Sequence, residues 1–148
     1  MVTTIRISKE FTFEMAHALF SYDGKCAGLH GHSYHLTVTV VGQINNDAAD
    51  ARQGMVMDFS LLKGIVNRDV VNAFDHAVVL NTKDPLSQQI KGSPTKINIT
   101  QYQPTSENLL ADFAGRIREA LPPSVKLHSL KLRETATSYA EWFSDDNA

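Results

Sequence analysis

Two stretches of the sequence decide the fold, FTFEMAH from Phe11 to His17 and HGHSYHLTVTV from His30 to Val40. In both, polar residues alternate with apolar or histidine residues, and this period of two is typical of a strand with one buried face. The segment between them contains the polar turn SYDGK, from Ser21 to Lys25. We therefore predict that the two stretches pair as a long antiparallel hairpin.

The remainder of the chain predicts two helices and two further strands. The first helix carries its buried stripe between Leu62 and Phe74, and the second begins at Pro104 and ends before Pro122. Alternating apolar residues then predict strands from Val125 to Leu132 and from Ser138 to Phe143. The resulting order predicts an α+β fold with an antiparallel four-stranded sheet and two helices on one face.

Two segments between these elements have weaker patterns. Gly54 to Phe59 is predicted to be a short edge or return strand, and Asp58 or Ser60 can cap the helix that follows. The polar segment Asn81 to Gln103 is predicted to be mostly loop, with a short strand around Ile97 to Ile99. Thr105 or Ser106 can cap the second helix.

The composition excludes several classes of protein. We expect a single domain over residues 1–148, with 43% apolar and 20% charged residues, as in ordinary globular proteins. The net charge of -2 argues against a nucleic-acid or membrane partner. The sequence has no apolar run that could cross a bilayer and no secretory signal pattern, so we expect a cytoplasmic protein. A single cysteine, Cys26, excludes an intramolecular disulfide framework.

The hairpin brings histidines together. His30 and His32 are two apart on a strand, so their imidazoles point to the same side, and Gly31 leaves room for close approach. His17 ends the neighbouring strand on its apolar face. Three neutral imidazoles with an open fourth position are the ligands expected of catalytic zinc. The alternatives are three unrelated histidines, or a closed structural site with Cys26 as fourth ligand. A chain with this apolar content should not need a metal to fold, which argues against the closed site.

Cys26 lies in a turn bounded by Gly24 and Gly28, next to the predicted metal. A nearby cation favours the thiolate, which is a usable base or nucleophile. The alternative is a small, buried core residue, which is the more common environment of a free cysteine.

Three acidic positions are candidates for further chemistry. A histidine oriented by a carboxylate can take a proton from a thiol, so Asp75 and His76 form a candidate pair, although such a pair at a helix end also suits a dipole contact. Glu134 stands on an otherwise apolar strand face. It can accept two hydrogen bonds from an amidine-like edge, as in a pterin or guanine, or pair with a lysine or arginine. Glu107, judged alone, is a first-turn helix acid.

Taken in order, these motifs resemble the 6-pyruvoyl-tetrahydropterin synthase family. The resemblance covers most of the chain, and the ordered set is specific although each piece alone is not. It rests on FEMAH from Phe13, Cys26-x-x-x-HGHSY ending at Tyr34, GMVMDF from Gly54, Asp75-His76 followed by Leu80-Asn81, PTSEN from Pro104, and Glu134-Thr135.

The resemblance implies a fold, a substrate and roles for particular residues. The fold is the tunnelling fold (T-fold), in which a trimer closes a β-barrel and two trimers stack into a homohexamer with active sites at subunit interfaces. The implied substrate is 7,8-dihydroneopterin triphosphate. The implied roles are Zn2+ binding by His17, His30 and His32, proton abstraction by Cys26, completion of the proton relay by Asp75 and His76, anchoring of the pterin ring by Glu134, and further pterin contacts by Thr105, Ser106 and Glu107.

The spacing between Cys26 and His30 indicates the subtype. It is similar to that of the bacterial 6-carboxy-5,6,7,8-tetrahydropterin synthases, which release triphosphate and acetaldehyde and serve queuosine and 7-deazapurine biosynthesis. We therefore expect 6-carboxy-5,6,7,8-tetrahydropterin as product. The alternative within the family is the pyruvoyl-forming reaction of the tetrahydrobiopterin-type pathway. An alternative from another class is a non-catalytic pterin-binding or structural zinc protein.

Overall fold

The computed structural model describes residues 2–148, which form one six-stranded sheet with helices packed against it. The strands are β1 (Thr4–His17), β2 (His30–Gln43), β3 (Ala77–Asn81), β4 (Ile97–Thr100), β5 (Val125–Arg133) and β6 (Tyr139–Phe143). The α-helices are α1 (Phe59–Val66), α2 (Asn72–Phe74), α3 (Leu86–Gln89) and α4 (Ser106–Ala120). A π-helical turn, Asn67–Val71, joins α1 to α2, and 3-10 turns lie at Lys25–Ala27 and Ser144–Asn147.

The predicted hairpin is confirmed over its whole length. β1 pairs antiparallel with β2 from Thr4 opposite Gln43 to His17 opposite His30. Alternate residues face the core because successive side chains of a strand point to opposite sides. The buried members of the hairpin are Phe11, Phe13, Met15, His17, Tyr34, Leu36, Val38 and Val40.

The predicted antiparallel four-stranded sheet is present, but it is part of a larger mixed sheet. The strand order is β4-β3-β1-β2-β5-β6, and β1, β2, β5 and β6 form the antiparallel part. β3 and β4 extend the sheet beyond β1 in parallel. β3 pairs with β1 over only three residues, Ala77 to Val79. The sequence gives no signal for such a parallel strand. Parallel strands are not joined by a hairpin turn, and because they are buried on both faces their residues do not alternate between apolar and polar.

The predicted strand at Gly54 to Phe59 is wrong. This segment is a turn in which Gly54 has a φ of 87°, a left-handed conformation that glycine adopts without strain. The Gly54 N–H donates to the Asn45 carbonyl at 2.7 Å, and the Asn45 N–H donates to the Met55 carbonyl at 2.9 Å. The chain then enters α1, where the Asp58 side chain accepts from the Ser60 N–H at 2.7 Å and caps the helix as predicted.

The two predicted helices lie on one face of the sheet and share its core. The helical run from α1 to α2 buries Leu62, Ile65, Val66, Val70 and Phe74. The residues that α4 buries against the same core are Leu109, Leu110, Phe113, Ala114 and Ile117. Each such side chain contributes about 1.5–3 kcal/mol on burial. The opposite face of the sheet carries mostly polar side chains, including Glu10, Thr12 and Glu14. Within residues 2–148, none of the helices is long and apolar enough to cross a bilayer.

Candidate metal centre and active site

Three histidines converge at the end of the hairpin where the connecting loop leaves β1 and enters β2, on its helix-covered face. His17 stands opposite His30, and His32 stands opposite Met15, so all three imidazoles point to the same side. The ring centroids are 4.7 Å apart for His17 and His30, 4.9 Å for His30 and His32, and 5.4 Å for His17 and His32. One nitrogen from each ring lies within 4.8 Å of the other two. The hairpin thus brings together the three histidines that the sequence predicts.

Backbone carbonyls fix the orientation of two of these rings. His17 Nδ1 is 2.6 Å from the Pro104 carbonyl oxygen, and His30 Nδ1 is 2.6 Å from the Gly28 carbonyl oxygen. A carbonyl only accepts, so each Nδ1 carries the hydrogen and each Nε2 presents its lone pair. The two Nε2 atoms are 3.1 Å apart. Two nitrogens bound to one tetrahedral zinc ion at roughly 2.0–2.1 Å would be about 3.3 Å apart, so the pair fits one metal ion.

The third ring presents a buried nitrogen that has no hydrogen-bond partner. His32 Nε2 lies 3.1 Å from Glu134 Oε1, which satisfies the distance for an ion pair, but the alignment is not that of a hydrogen bond. Hydrogen bonds weaken steeply when they are bent, so this contact does not satisfy the His32 nitrogen. Leaving such a nitrogen unpaired costs about 1–3 kcal/mol. A cation among the three nitrogens would satisfy this atom and the two facing lone pairs, so the residues fit a metal ion.

The surroundings of His17 and His32 favour the neutral imidazoles that metal binding needs. Burial lowers the pKa of His17, and the nearby His30 and His32 lower it further against the opposing effects of the Pro104 carbonyl and Glu134. Burial also lowers the pKa of His32, and His30 adds to this effect while Glu134 opposes it.

Glu134 stands between the histidines and the start of α4. Its Oε2 accepts a hydrogen bond from Ser106 Oγ at 2.5 Å, and its Oε1 faces His32. The alternative of a lysine or arginine partner is not realised within the described chain. One oxygen of the half-buried carboxylate is held by Ser106, and the other is directed toward the three histidines. It is thereby available to a ligand that reaches this cluster.

The other two residues predicted to contact the pterin have different surroundings. Thr105 caps α4, because its hydroxyl oxygen accepts from the Asn108 N–H at 3.2 Å. Ser106 does not cap the helix and instead donates its hydroxyl hydrogen to Glu134. Glu107 is exposed in the first turn of α4 and makes no side-chain hydrogen bond or ion pair to any residue that the structure describes. Both residues lie beside Ser106, at the same end of the helix.

Tyr34 is a member of this site that the sequence patterns did not single out. Its ring stacks on Phe13 at 5.3 Å and lies 5.5 Å from the His32 ring. Its hydroxyl is fully buried and has no hydrogen-bond partner within residues 2–148. Burial raises the pKa of this phenol, and the charges of Glu134 and Cys26 raise it further. The sequence signal that could have identified Tyr34 as a site residue is its position two residues after His32, on the same face of the strand.

Cys26 is a free, half-buried thiol in the 3-10 turn at Lys25–Ala27. The turn leads to Gly28, whose carbonyl holds His30. Cys26 itself lies four residues before His30, in the loop that connects the two strands of the hairpin. Among the described residues, the group of converging ligand atoms consists of the three histidines and does not include the Cys26 sulfur. This arrangement favours the open metal site over the closed one.

The Asp75–His76 pair lies on the other face of the sheet. The His76 N–H donates to the Glu14 carbonyl at 2.6 Å, and the following Ala77 faces the core opposite Met15. His76 therefore points to the polar face, where it lines a depression with Glu14 and Ser33. Its side chain is 76% exposed. Within one chain, the structure does not bring Asp75 and His76 to Cys26.

Asp75 is well placed to orient His76. Its Oδ1 accepts from the Glu14 N–H at 3.0 Å and lies 2.9 Å from His76 Nδ1. The Glu14 N–H is the largest cause that lowers the pKa of the Asp75 carboxyl, and His76 and Lys96 lower it further. A carboxylate thus holds the Nδ1 side of the imidazole and leaves Nε2 free to exchange a proton.

Comparison with known proteins gives consistent matches along the chain. Residues 6–145 match the family model described as 6-pyruvoyl tetrahydropterin synthase. A Haemophilus influenzae protein named 6-carboxy-5,6,7,8-tetrahydropterin synthase is 35% identical over 141 residues, which are 93% of this chain and 97% of that protein. A Synechocystis protein of the same name is 38% identical over 138 residues, which are 93% of this chain and 92% of that protein.

Solved structures share the fold. An uncharacterised protein from Wolinella succinogenes superimposes with a TM-score of 0.76 at 22% identity, covering 96% of this chain and 99% of that one. The 6-pyruvoyl tetrahydropterin synthase of Caenorhabditis elegans superimposes with a TM-score of 0.70 at 23% identity, covering 96% of each chain. These neighbours confirm the predicted T-fold of the single chain.

Proposed function

The chain belongs to the 6-pyruvoyl tetrahydropterin synthase family and is a lyase, and from that premise we propose that it forms 6-carboxy-5,6,7,8-tetrahydropterin. The proposed substrate is 7,8-dihydroneopterin triphosphate, and the other products are triphosphate and acetaldehyde. We place this reaction in the cytoplasm, in the route to queuosine and other 7-deazapurines. The convergence of three histidines and Glu134, with the free Cys26 four residues before His30 in the connecting loop, is the observation that carries the proposal.

His17, His30 and His32 are the residues proposed to hold a zinc ion. Two carbonyl-anchored rings, a buried unpaired nitrogen and neutral imidazoles support this assignment. When bound, zinc supplies a Lewis acid that polarises the side-chain oxygens of the substrate and so acidifies the adjacent C–H bonds. Because backbone carbonyls fix the rings of His17 and His30 and strand register places His32 beside them, the chain itself brings the three ligand nitrogens together.

Glu134 is proposed to anchor the pterin ring. A carboxylate accepts two hydrogen bonds from the ring N–H and amino group of a pterin, and such bonds to a charged group are stronger than neutral ones. The hydrogen bond from Ser106 fixes one carboxylate oxygen and so orients the other. Thr105 and Glu107, in the same first turn of α4, are proposed to contribute further contacts to the ring.

The proton transfers are assigned to Cys26, Asp75 and His76. The Cys26 sulfur is proposed to remove a proton from the substrate side chain. His76, oriented by Asp75, is proposed to exchange that proton through Nε2. Because the pair lies on the opposite sheet face from the histidine cluster of its own chain, we propose that a neighbouring copy supplies it, in a homohexamer built from two trimers.

Product analysis tests the proposed function. The purified protein, supplied with zinc, is incubated with 7,8-dihydroneopterin triphosphate, and the products are identified by mass spectrometry. We expect 6-carboxy-5,6,7,8-tetrahydropterin together with acetaldehyde and triphosphate. A pyruvoyl product without acetaldehyde would overturn the proposed product. An unchanged substrate would overturn the catalytic role altogether and favour a pterin-binding or structural zinc protein.

A further inference from the structure

The chain reverses sharply where helix α2 ends and strand β3 begins. Asp75 leaves the helix in an extended conformation, and His76 follows with a φ of 60°. A non-glycine residue in the left-handed region is strained and persists only where its surroundings hold it. Helix ends also leave carbonyl groups without partners. This reversal carries the Asp75–His76 pair, so what holds it determines where the pair points.

The residue just before β4 and a residue of β4 itself supply the missing partners from outside the helix. The Lys96 Nζ donates to the Asn72 carbonyl at 2.5 Å and to the Asp75 carbonyl at 2.8 Å. Asn98 Nδ2 donates to the Ala73 carbonyl at 3.2 Å. The ammonium also suits the negative end of the helix.

β1 holds the other side of the reversal. The Glu14 carbonyl accepts the His76 N–H at 2.6 Å, and the Glu14 N–H reaches the Asp75 carboxylate at 3.0 Å. Because the Lys96 carbonyl accepts from the Val78 N–H at 2.9 Å, the lysine backbone is itself tied to β3 immediately after His76. Asp75 and His76 are thus clamped between β1 and β4.

We propose that Lys96 is a positioning residue for the Asp75–His76 pair. Its ammonium joins the last turn of α2 to the Asp75 carbonyl and thereby keeps the His76 imidazole against the Asp75 carboxylate. The charged groups around the imidazole are Asp75, Lys96 and Glu14. This inference assigns a role to the 81–103 segment, and its catalytic part rests on the proposed function, in which His76 moves a proton.

Substitution of Lys96 tests the catalytic part. We expect Lys96→Met to lower kcat about tenfold while KM stays within about twofold, because a misplaced group slows chemistry without weakening substrate contacts. Lys96→Arg, which keeps a cationic donor, should return kcat to within about threefold of the wild type. The matched control is Lys91→Met, an exposed lysine of the same segment whose ammonium has no hydrogen bond or ion pair within residues 2–148. It should leave both constants unchanged.

A spectroscopic measurement tests the positioning itself and needs no substrate. In wild-type protein with 15N-labelled histidine, His76 should show the tautomer with hydrogen on Nδ1, as its bond to Asp75 requires. Lys96→Met should mix the two tautomers, and Lys96→Arg should preserve the first. Thermal melting of each variant checks that it folds, and Lys96→Gln is a second uncharged variant if Lys96→Met does not.

Two outcomes would overturn the inference. One is a Lys96→Met protein that keeps both the wild-type kcat and the His76 tautomer, and the other is an Lys96→Arg protein that is as impaired as Lys96→Met. If the wild-type enzyme does not turn over the pterin triphosphate, the proposed function fails, while the tautomer of His76 still decides whether Lys96 orients it.

Discussion

The histidine cluster and the Asp75–His76 pair lie on opposite faces of the sheet. Both are close to β1, which carries His17 and whose Glu14 backbone binds the pair. The three histidines all lie on the two strands of the hairpin, and each ring is fixed by strand register or by a backbone carbonyl. The pair is built at a helix end and is 76% exposed at His76. The cluster therefore gathers its three histidines within one chain, whereas the pair, in our proposal, acts at the surface of a neighbouring copy. This difference predicts how variants of each region behave.

The largest effect is expected where the cluster itself is broken. His30→Ala removes one of the three proposed ligands, so bound zinc should fall close to zero. Loss of a residue that only hydrogen-bonds to a metal ligand lowers activity by up to about a hundredfold, so loss of the ligand itself should lower kcat/KM by more than that. Metal analysis of the purified variant and a product assay measure the two effects. The matched control is His35→Ala on the polar face of the same strand, which should retain zinc. Equal zinc loss in both variants would contradict a localised site.

Mixed oligomers test whether the pair acts across chains. Cys26→Ala and His76→Ala should each lower kcat by about 10²–10⁴-fold, since each removes a proton-transfer group. After unfolding and reassembly of an equal mixture, about a quarter of the sites would combine an intact Cys26 with an intact His76 if two chains contribute to each site. The activity of the mixture, measured against each variant alone, should rise accordingly. Activity that stays at the level of the separate variants would show that both groups act within one chain.

A smaller effect is expected at the border of the cluster, where Ser106 supports Glu134. Removing a hydrogen bond to a charged group costs about 1.5–3 kcal/mol, so Ser106→Ala should raise KM by about ten- to a hundredfold. Bound zinc should stay at the wild-type level because no ligand is touched. Glu119→Ala, at an exposed position near the other end of α4, serves as the control. A change in kcat alone, with KM unaltered, would argue against a role of Ser106 in substrate binding.

The sequence predicted the hairpin and its histidines because the information is local. Strand alternation determines which side chains share a face, and a hairpin determines which residues stand opposite each other. His17, His30 and His32 follow from these two rules. The helix caps at Asp58 and Thr105 are equally local, since each depends on a residue and its next few neighbours.

The parts that escaped sequence reasoning depend on contacts between distant segments. The position of His76 depends on the parallel register of β3 against β1, which no turn specifies. The clamp by Lys96 depends on β4, twenty-one positions after Asp75 in sequence. The apolar residues from Met55 to Met57 resemble a strand, but the segment has no strand partner: its backbone bonds are turn and helix-start bonds and two bonds to Asn45. Tyr34 was overlooked because an aromatic residue on a buried strand face is usually core.

The most direct test of the central claim separates metal binding from chemistry at Cys26. The claim is that three histidines hold the metal while the neighbouring thiol acts on the substrate. In Cys26→Ala, with Cys26→Ser for comparison, zinc content and triphosphate release are measured on the same preparation. We expect zinc at the wild-type level and triphosphate release reduced to background. Loss of zinc from Cys26→Ala would make Cys26 a ligand and contradict the open site, and triphosphate release at the wild-type rate would contradict the role of the thiol.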